Sequence, residues 1–175
     1  MKLNITPTRH EVFLGPEEVI VSKTDLTGRI TYANRIFMGL ADFSESELLG
    51  KQHNIVRHPD MPRGAFKLLW DTLRQNREFF GFVKNMTSKG DHYWVFANVT
   101  PDINARGECI GYFSVRRRPS TQAISVIQPI YDEMLAVEVR SGTASAPAAS
   151  IDFLQRKLKS LNTTYDRFIL SLAQE

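Results

Sequence analysis

Two short runs of mainly β-branched and apolar residues begin the patterned part of the chain. They cover Glu18 to Asp25 and Arg29 to Asn34, and the sequence Leu26-Thr27-Gly28 separates them. Runs of this length with a glycine in the connection are typical of a β-hairpin. We therefore expect two antiparallel strands at the start of the folded region.

Helical spacing follows between Arg35 and Arg74, where glycines and prolines break the pattern into short pieces. The clearest helix is expected from about Met61 to Arg74, because large apolar residues recur there with a helical period. They would lie on one face of this helix: Phe66, Leu69, Trp70 and Leu73.

Three longer runs then return to the strand pattern. They cover Phe79 to Ser88, Asp91 to Pro101 and Cys109 to Arg118. Short polar turns join them, so runs that are neighbours in sequence should pair antiparallel. The whole pattern predicts an α+β fold, in which a five-stranded antiparallel sheet carries short helices on one face and further helices follow at the carboxyl end.

Alternation within the run from Asp91 to Pro101 assigns its side chains to the two faces of the sheet. The two sets are Tyr93, Val95, Ala97 and Val99 on one face, and Trp94, Phe96, Asn98 and Thr100 on the other. Both sets contain large apolar residues, but the short helices can cover only one face. The second face should therefore meet another chain, the amino-terminal segment or the trailing helices.

Composition narrows the class of protein. The 175 residues are 42% hydrophobic and 23% charged, which is typical of a folded globular chain. The net charge of +3 is too weak to indicate nucleic-acid binding. The sequence contains no run of the ~20 apolar residues that span a membrane, no apolar signal-peptide core, and no disulfide partner for Cys109, so we expect a cytoplasmic protein. It also lacks a phosphate loop, a nucleophile elbow and an HExxH helix, so an enzyme is the least expected class.

One segment concentrates polar chemistry against the expected core. GKQHNIVRHPDMP, from Gly50 to Pro62, contains two histidines, an arginine and an aspartate. Such groups lose hydration near a core and are usually retained where a ligand, a metal or a neighbouring residue compensates them. Trp70 adds a flat aromatic surface, and the amide of Asn85 should project from the sheet toward the helices. Together these residues indicate a pocket for a planar ligand with polar edges and an anionic tail.

Six stretches of the chain resemble a known family. They read TDLTGRITYAN (24–34), ELLGKQHNIVRHPDMP (47–62), AFKLLWDTL (65–73), GFVKNMTSKGDHYWVFANVTP (81–101), GYFSVRRRP (111–119) and IQPIYDEM (127–134). In this order they are similar to the flavin-binding PAS domain of bacterial aerotaxis receptors, and the resemblance spans about Ser22 to Met134. The strings NIVRHPDMP and GDHYWV are specific, whereas a generic PAS pattern would leave the ligand open.

The resemblance implies a sensor that binds FAD noncovalently and reports its redox state to a chemotaxis-type signalling partner or another output protein. The cofactor-binding residues that it implies are Asn34, Arg57, His58, Asp60, Phe66, Trp70, Asn85 and Tyr93. Asn85 would lie beside the flavin ring and change its hydrogen bonding when the ring is reduced. Light-sensing flavin PAS domains carry a reactive cysteine where this chain has His53, so photoadduct chemistry is not expected.

Other interpretations stay open from the residues themselves. His53 or His58 could bind haem, as in gas-sensing PAS domains, and a PAS domain without a cofactor could act as a dimerisation and docking module. Arg57, His58 and Asp60 could instead form an exposed capping and salt-bridge cluster. The triplet Arg116-Arg117-Arg118 is most simply a solvated strand end.

The carboxyl-terminal part divides at Ser141 to Ser150, SGTASAPAAS, whose small residues predict a linker that adds nothing to a core. A helix interrupted by Pro129 is expected before it, from about Ser120 to Val137. After it, a heptad pattern favours a homodimer but also allows packing on the sheet. Its apolar positions are Ile151, Leu154, Leu158, Leu161, Tyr165, Phe168 and Leu172. The expected parts are an amino-terminal cap (1–16), the PAS sensor domain (17–119), a helix connecting to the output (120–140), a flexible linker (141–150) and a heptad-patterned helix (151–175).

Overall fold

The computed structural model describes residues 5–174, and its sheet has five strands. They are β1 (Ile20–Asp25), β2 (Ile30–Ala33), β3 (Phe79–Met86), β4 (His92–Ile103) and β5 (Cys109–Arg117). Each adjacent pair is antiparallel, and the order across the sheet is β2-β1-β5-β4-β3. The predicted α+β architecture is confirmed.

Short helices cover one face of the sheet, which we call the inner face. They are α1 (Arg35–Ala41), α2 (Glu45–Leu48), a 3-10 helix (His53–Val56) and α3 (Arg63–Leu73). Beneath them, the buried side chains of Phe37, Leu48 and Val56 belong to one core cluster with Tyr93 and Val95 of β4. The alternation predicted for β4 is therefore right, since these two residues lie on the helix-covered face.

The amino-terminal segment extends the sheet beside the start of β4. The amides of Thr8 and Val12 donate to the carbonyls of Gly90 and His92, both at 2.8 Å, and the His92 amide donates to the carbonyl of His10 at 3.0 Å. Leu14 is buried in the inner core. The segment thus closes an edge of β4 that β5 does not reach.

The trailing helices α4 (Thr121–Ser160) and α5 (Tyr165–Ala173) account for the second, outer face of the sheet. Phe82 and Trp94 on that face belong to a core cluster with Ile127 and Tyr131 of α4. The Tyr131 hydroxyl also donates to the carbonyl of Phe82 at 2.8 Å. Within residues 5–174, none of the helices has both the length and the apolar character needed to cross a membrane.

The linker expected at residues 141–150 is wrong, because these residues are helical except at Gly142. Non-helical backbone angles occur inside α4 at Gly142 (φ 74°, ψ 163°), which separates two helical arms (121–141 and 143–160), whereas Pro129 lies within the first arm without ending it. Ser150 donates to Glu138 at 2.6 Å and Lys157 pairs with Glu133, so the arms run antiparallel. The small side chains of the second arm are what allow it to approach α3 closely.

The apolar stripe of the heptad pattern packs against other parts of the same chain. It divides between the second arm of α4 and helix α5, with Asn162 at φ 52° in the turn between them. Leu154, Leu158 and Leu172 are buried in the outer core cluster. Packing on the chain's own core, the alternative to a coiled coil, is thus what the structure shows, and a homodimer through this stripe would have to expose these residues first.

The contact between α3 and α4 gives a test of this packing. A Cβ on Gly64 would overlap the Ser150 hydroxyl oxygen and lie 3.1 Å from the Pro147 carbonyl oxygen. We expect Gly64→Ala to lower the free energy of unfolding by ~1–3 kcal/mol, since one neighbour is rigid backbone. Gly39→Ala in α1 is the control, because nothing lies within 4 Å of its Cβ and alanine is the better helix former. Equal denaturation midpoints for the two variants would contradict the close approach.

Candidate functional site

A cavity of about 210 Å³ lies between the inner face of the sheet and α3. Its sheet wall includes Val83, Ala97 and Val99, and α3 contributes the opposite wall. The α3 residues that line the cavity are Phe66, Leu69, Trp70 and Leu73, which are the four apolar positions expected on one face of that helix. The cavity is therefore a slot between a flat apolar sheet and a partly aromatic helix.

The β1–β2 turn closes one end of the slot over Trp70. Gly28 in that turn has φ +80°, and a Cβ on it would lie 3.2 Å from the Trp70 ring. Trp70 also meets Tyr112 edge to face, with ring centroids 5.4 Å apart. Glycine is required at position 28 both by its backbone conformation and by this close approach.

Arg116 forms the polar end of the cavity. Its side chain is 2% exposed, its Nη2 donates to the hydroxyl of Ser22, and its guanidinium lies over the Phe37 ring at 4.6 Å from the centroid. Its Nε and Nη1 atoms have no hydrogen-bond partner among the described residues. Burial lowers the pKa of Arg116 to about 10, so the group remains a cation at neutral pH.

His53 lies beside this cation and is neutral. Its Nε2 is 3.2 Å from the Ser22 hydroxyl oxygen, and its ring stacks on Phe37 with centroids 5.7 Å apart. Burial, followed by the charge of Arg116, lowers the pKa of His53 to about 3. The imidazole therefore does not add a second positive charge to this end of the cavity.

Arg57 lines the cavity from the segment that follows the 3-10 helix. Its Nη2 donates to the carbonyl of Met61 at 3.0 Å, and its guanidinium lies over the Phe66 ring at 4.1 Å. The backbone of Arg57 bridges to that of Asn85 on the free edge of β3. Burial lowers the pKa of Arg57, and the contact with Phe66 directs its charge to the cavity wall.

Asn85 also lines the cavity and is 4% exposed. Its cross-strand neighbour is Tyr93 on β4, which belongs to the buried core cluster rather than to the cavity wall. Burial raises the pKa of the Tyr93 hydroxyl, and the charge of Arg116 and the side chain of Asn85 oppose this shift. The sheet therefore presents an amide, with a buried phenol on the neighbouring strand.

His58 and Asp60 do not line the cavity, and their role in cofactor binding stays a prediction. Nδ1 of His58 accepts from the Asp60 amide at 3.1 Å, its ring meets that of His92 edge to face at 5.8 Å, and the Asp60 carboxylate pairs with Lys84 at 2.7 Å. Burial lowers the pKa of His58 to about 4, with Lys84 contributing. Neighbouring residues of an extended segment point in opposite directions, so Arg57 reaches the cavity while His58 joins this outer cluster.

Asn34 does not line the cavity either, and its amide holds the backbone together. Its Oδ1 accepts from the amides of Phe37 at 3.0 Å and Val21 at 3.1 Å, and its Nδ2 donates to the carbonyl of Val19 at 2.8 Å. This is the N-cap of α1 together with a tie to β1. Such a fully used amide has a structural role.

The sequence interpretation missed Arg116, which is buried rather than solvated at the strand end. Alternation along β5 was the available signal, because Tyr112, Ser114 and Arg116 share a face and all three line the cavity. Ser22 and Thr24 reach it from β1 in the same way. The arginine triplet concealed this pattern, since its other two members, Arg117 and Arg118, are exposed.

Comparison with known proteins agrees with the fold. A family model described as PAS fold matches residues 30–116. The chain is 40% identical over 129 residues to an aerotaxis receptor of Escherichia coli (strain K12), and 27% identical over 150 residues to a nitrogen fixation regulatory protein of Klebsiella pneumoniae. These matches cover 74% and 86% of this chain but only 25% and 30% of the two relatives.

Solved structures of blue-light receptor domains share the fold. The light state of the Aureochrome1 LOV domain gives a TM-score of 0.55 at 18% identity and covers 62% of this chain and 85% of that one. A LOV domain studied with a flavin analogue gives 0.56 at 17% identity, covering 66% and 86%. At these identities the likeness extends to the architecture alone.

Proposed function

Because this chain carries a PAS domain similar to that of an aerotaxis receptor, we propose that the cavity binds FAD noncovalently and that the domain relays the redox state of the flavin to an output partner. The observation that supports this proposal most is a slot with apolar walls. At its polar end, Arg116 has hydrogen-bond donors without partners among the described residues. The relatives bear receptor and regulator names, which supports a signalling role rather than an enzyme. A cytoplasmic location stays a prediction.

The residues present fit the ring system of a flavin. A planar tricycle suits the space between Val83, Ala97 and Val99 on the sheet and the aromatic residues of α3. Its polar edge carries acceptors and an N–H group, which Arg116 and the Asn85 amide can satisfy. At about 210 Å³ the cavity is smaller than the ~300–1,000 Å³ of typical ligand pockets, so the dinucleotide tail would extend out of it.

Arg57 is the candidate contact for that tail. Its guanidinium is fixed over Phe66 and by the Met61 carbonyl, and a fork of donors held in this way suits a phosphate oxygen. We expect Arg57→Gln to weaken FAD binding at least tenfold, since a charge-assisted hydrogen bond contributes ~1.5–3 kcal/mol. Titration of flavin fluorescence measures the affinity.

Asp60→Asn provides the matched control for this prediction. Asp60 lies three residues away, is half-exposed and pairs with Lys84 outside the cavity, so its loss should change FAD affinity less than threefold. A loss for Asp60→Asn that equals the loss for Arg57→Gln would contradict the assignment of the tail contact to Arg57 alone.

Bound flavin would supply reversible uptake of electrons and protons at its ring. The chain supplies Asn85, whose amide can either donate or accept and can therefore follow a ring nitrogen that gains a proton. The backbone of Asn85 bridges to Arg57, and Arg57 binds Met61 just before α3. Glu138 of α4 in turn binds the first amides of α3. We propose that redox state reaches α4 through these contacts.

The two other candidate functions have less support. His58 lies outside the cavity, and Nε2 of His53 is 3.2 Å from the Ser22 hydroxyl oxygen, which reduces the support for a haem bound through either imidazole. A docking module without a cofactor would not require a buried cation such as Arg116 beside an internal cavity.

The absorption spectrum of the purified protein, recorded before and after denaturation, separates these functions. We expect a two-banded yellow spectrum and release of FAD, identified by chromatography of the supernatant. A sharp Soret band would indicate haem. A colourless protein that takes up neither FAD nor haem would leave the docking module.

A further inference from the structure

Arg116 is a buried cation without a counter-ion. Its contacts are the Ser22 hydroxyl and the face of the Phe37 ring, and two of its nitrogens, Nε and Nη1, have no partner among the described residues. The other charged group lining the cavity is Arg57, which is also cationic, and no described aspartate or glutamate lines it. Both charged groups that line the cavity are therefore cations; the carboxylate of Glu138 acts on the charge of Arg57, whereas no described carboxylate acts on that of Arg116.

Such an arrangement is costly in the empty protein. Removing a guanidinium from water is unfavourable unless an anion and hydrogen-bond acceptors replace the lost hydration. A hydroxyl and a ring face replace it only in part. Arg116 lines the cavity, and its Nε and Nη1 atoms are buried without an acceptor among the described residues. A group bound in the cavity is therefore the candidate source of the missing acceptor.

We propose that Arg116 recognises the electron-rich edge of the ring system bound in this cavity and favours its reduced, anionic form over the oxidised, neutral form. The inference rests on the proposed function, because the ligand is taken to be a flavin. The oxidised ring becomes the reduced anion by accepting two electrons and one proton from an external reductant, while Arg116 keeps its own proton. A fixed positive charge stabilises the product of this step more than the reactant, so Arg116 raises the reduction potential.

The alternative is that Arg116 holds the fold together through Ser22 and Phe37. The two roles predict opposite effects on the flavin-free protein. If Arg116 is structural, replacing it with methionine should lower the melting temperature. If Arg116 instead serves to bind the ligand, Arg116→Met removes an uncompensated buried charge and keeps a similar side-chain volume. The flavin-free variant should then melt at or above the wild-type temperature.

The experiment combines flavin-free melting with the reduction potential of FAD-loaded protein, measured against a reference dye during reduction by xanthine and xanthine oxidase. For Arg116→Met we expect at least a tenfold weaker preference for the reduced cofactor, which is a fall of about 30 mV for a two-electron couple. Arg117→Met is the control, because it removes the same charge from the exposed neighbouring position and should leave both readouts at wild-type values.

Each outcome decides the proposal. For Arg116→Met, a potential lower by about 30 mV supports the proposal and a wild-type potential overturns it, whatever the flavin-free melting temperature. A lower melting temperature would show in addition that Arg116 stabilises the fold. If Arg116→Met binds no FAD, Arg116→Lys retains the charge: a potential near that of wild type supports the proposal, and one 30 mV or more lower overturns it. Loss of FAD binding in both variants supports recognition if the flavin-free melting temperature is maintained, and overturns it if that temperature falls. A wild-type protein that binds no FAD would instead overturn the proposed function.

Discussion

Glu138→Ala should lower the free energy of unfolding by about 3 kcal/mol or more, the largest stability effect that we expect from a single change in this chain. Glu138 is buried, and its carboxylate accepts from the amides of Arg63 at 3.0 Å and Gly64 at 2.8 Å and from the Ser150 hydroxyl at 2.6 Å. The first two donors are amides of the first turn of α3, which has no side-chain cap of its own. Hydrogen bonds to a charged acceptor contribute ~1.5–3 kcal/mol each, and the loss leaves buried donors unpaired.

Two further variants test whether the buried carboxylate of Glu138 is the cause of this loss of stability. Glu138→Gln keeps one acceptor oxygen without the charge, so its loss of stability should lie between those of wild type and Glu138→Ala. Glu133→Ala removes an exposed carboxylate from the same helical arm, where it pairs with Lys157, and should cost less than ~1 kcal/mol. Urea denaturation of all three measures these differences. If Glu138→Ala is no less stable than Glu133→Ala, the link between α3 and α4 is not maintained by this carboxylate.

The sheet was predictable because alternation acts locally. The β1–β2 turn required a glycine, and alternation along β4 assigned Tyr93 and Val95 to one face, so the strands and the inner face followed directly. Arg116 shows the limit of predictions from residue type. Three consecutive arginines indicate exposure to solvent, and only the position of Arg116 in the alternation along β5 indicates that its side chain is buried. Likewise, residue type grouped Arg57 with His58, but the local backbone sends their side chains to opposite sides.

The carboxyl-terminal part was less predictable, because its structure depends on contacts that are distant in sequence. The small residues in 141–150 predict a linker if the prediction considers only that they have no large apolar side chain to bury. In the fold, that same small size lets Ser150 reach Glu138 and lie against Gly64. The heptad pattern predicted an apolar stripe correctly, but a period cannot specify what the stripe packs against. Here it packs against the chain's own α3, sheet and first arm of α4.

In the FAD-loaded protein, Asn85→Ala should retain the cofactor and lose the redox-dependent change in α4. Asn85 lies on the inner face of β3 and lines the cavity. Its side-chain amide can both donate and accept hydrogen bonds. Removing it leaves the apolar walls and both arginines, so most of the expected binding contacts remain. The variant lacks the side chain that would change from hydrogen-bond donor to acceptor when a ring nitrogen gains a proton. Without that change, the redox state no longer favours one of two arrangements of β3 over the other.

Hydrogen exchange of residues 121–160, compared between oxidised and reduced FAD-loaded protein, measures this effect. We expect a difference in wild type and its loss in Asn85→Ala. Asn98→Ala is the matched control, since the Asn98 amide donates to the exposed Glu78 at 3.1 Å and should leave the difference intact. An Asn85→Ala variant that binds FAD and shows the full difference would remove Asn85 from the mechanism. Identical exchange in oxidised and reduced wild type would remove the route through α3 to Glu138, because a change in β3 would then end before α4.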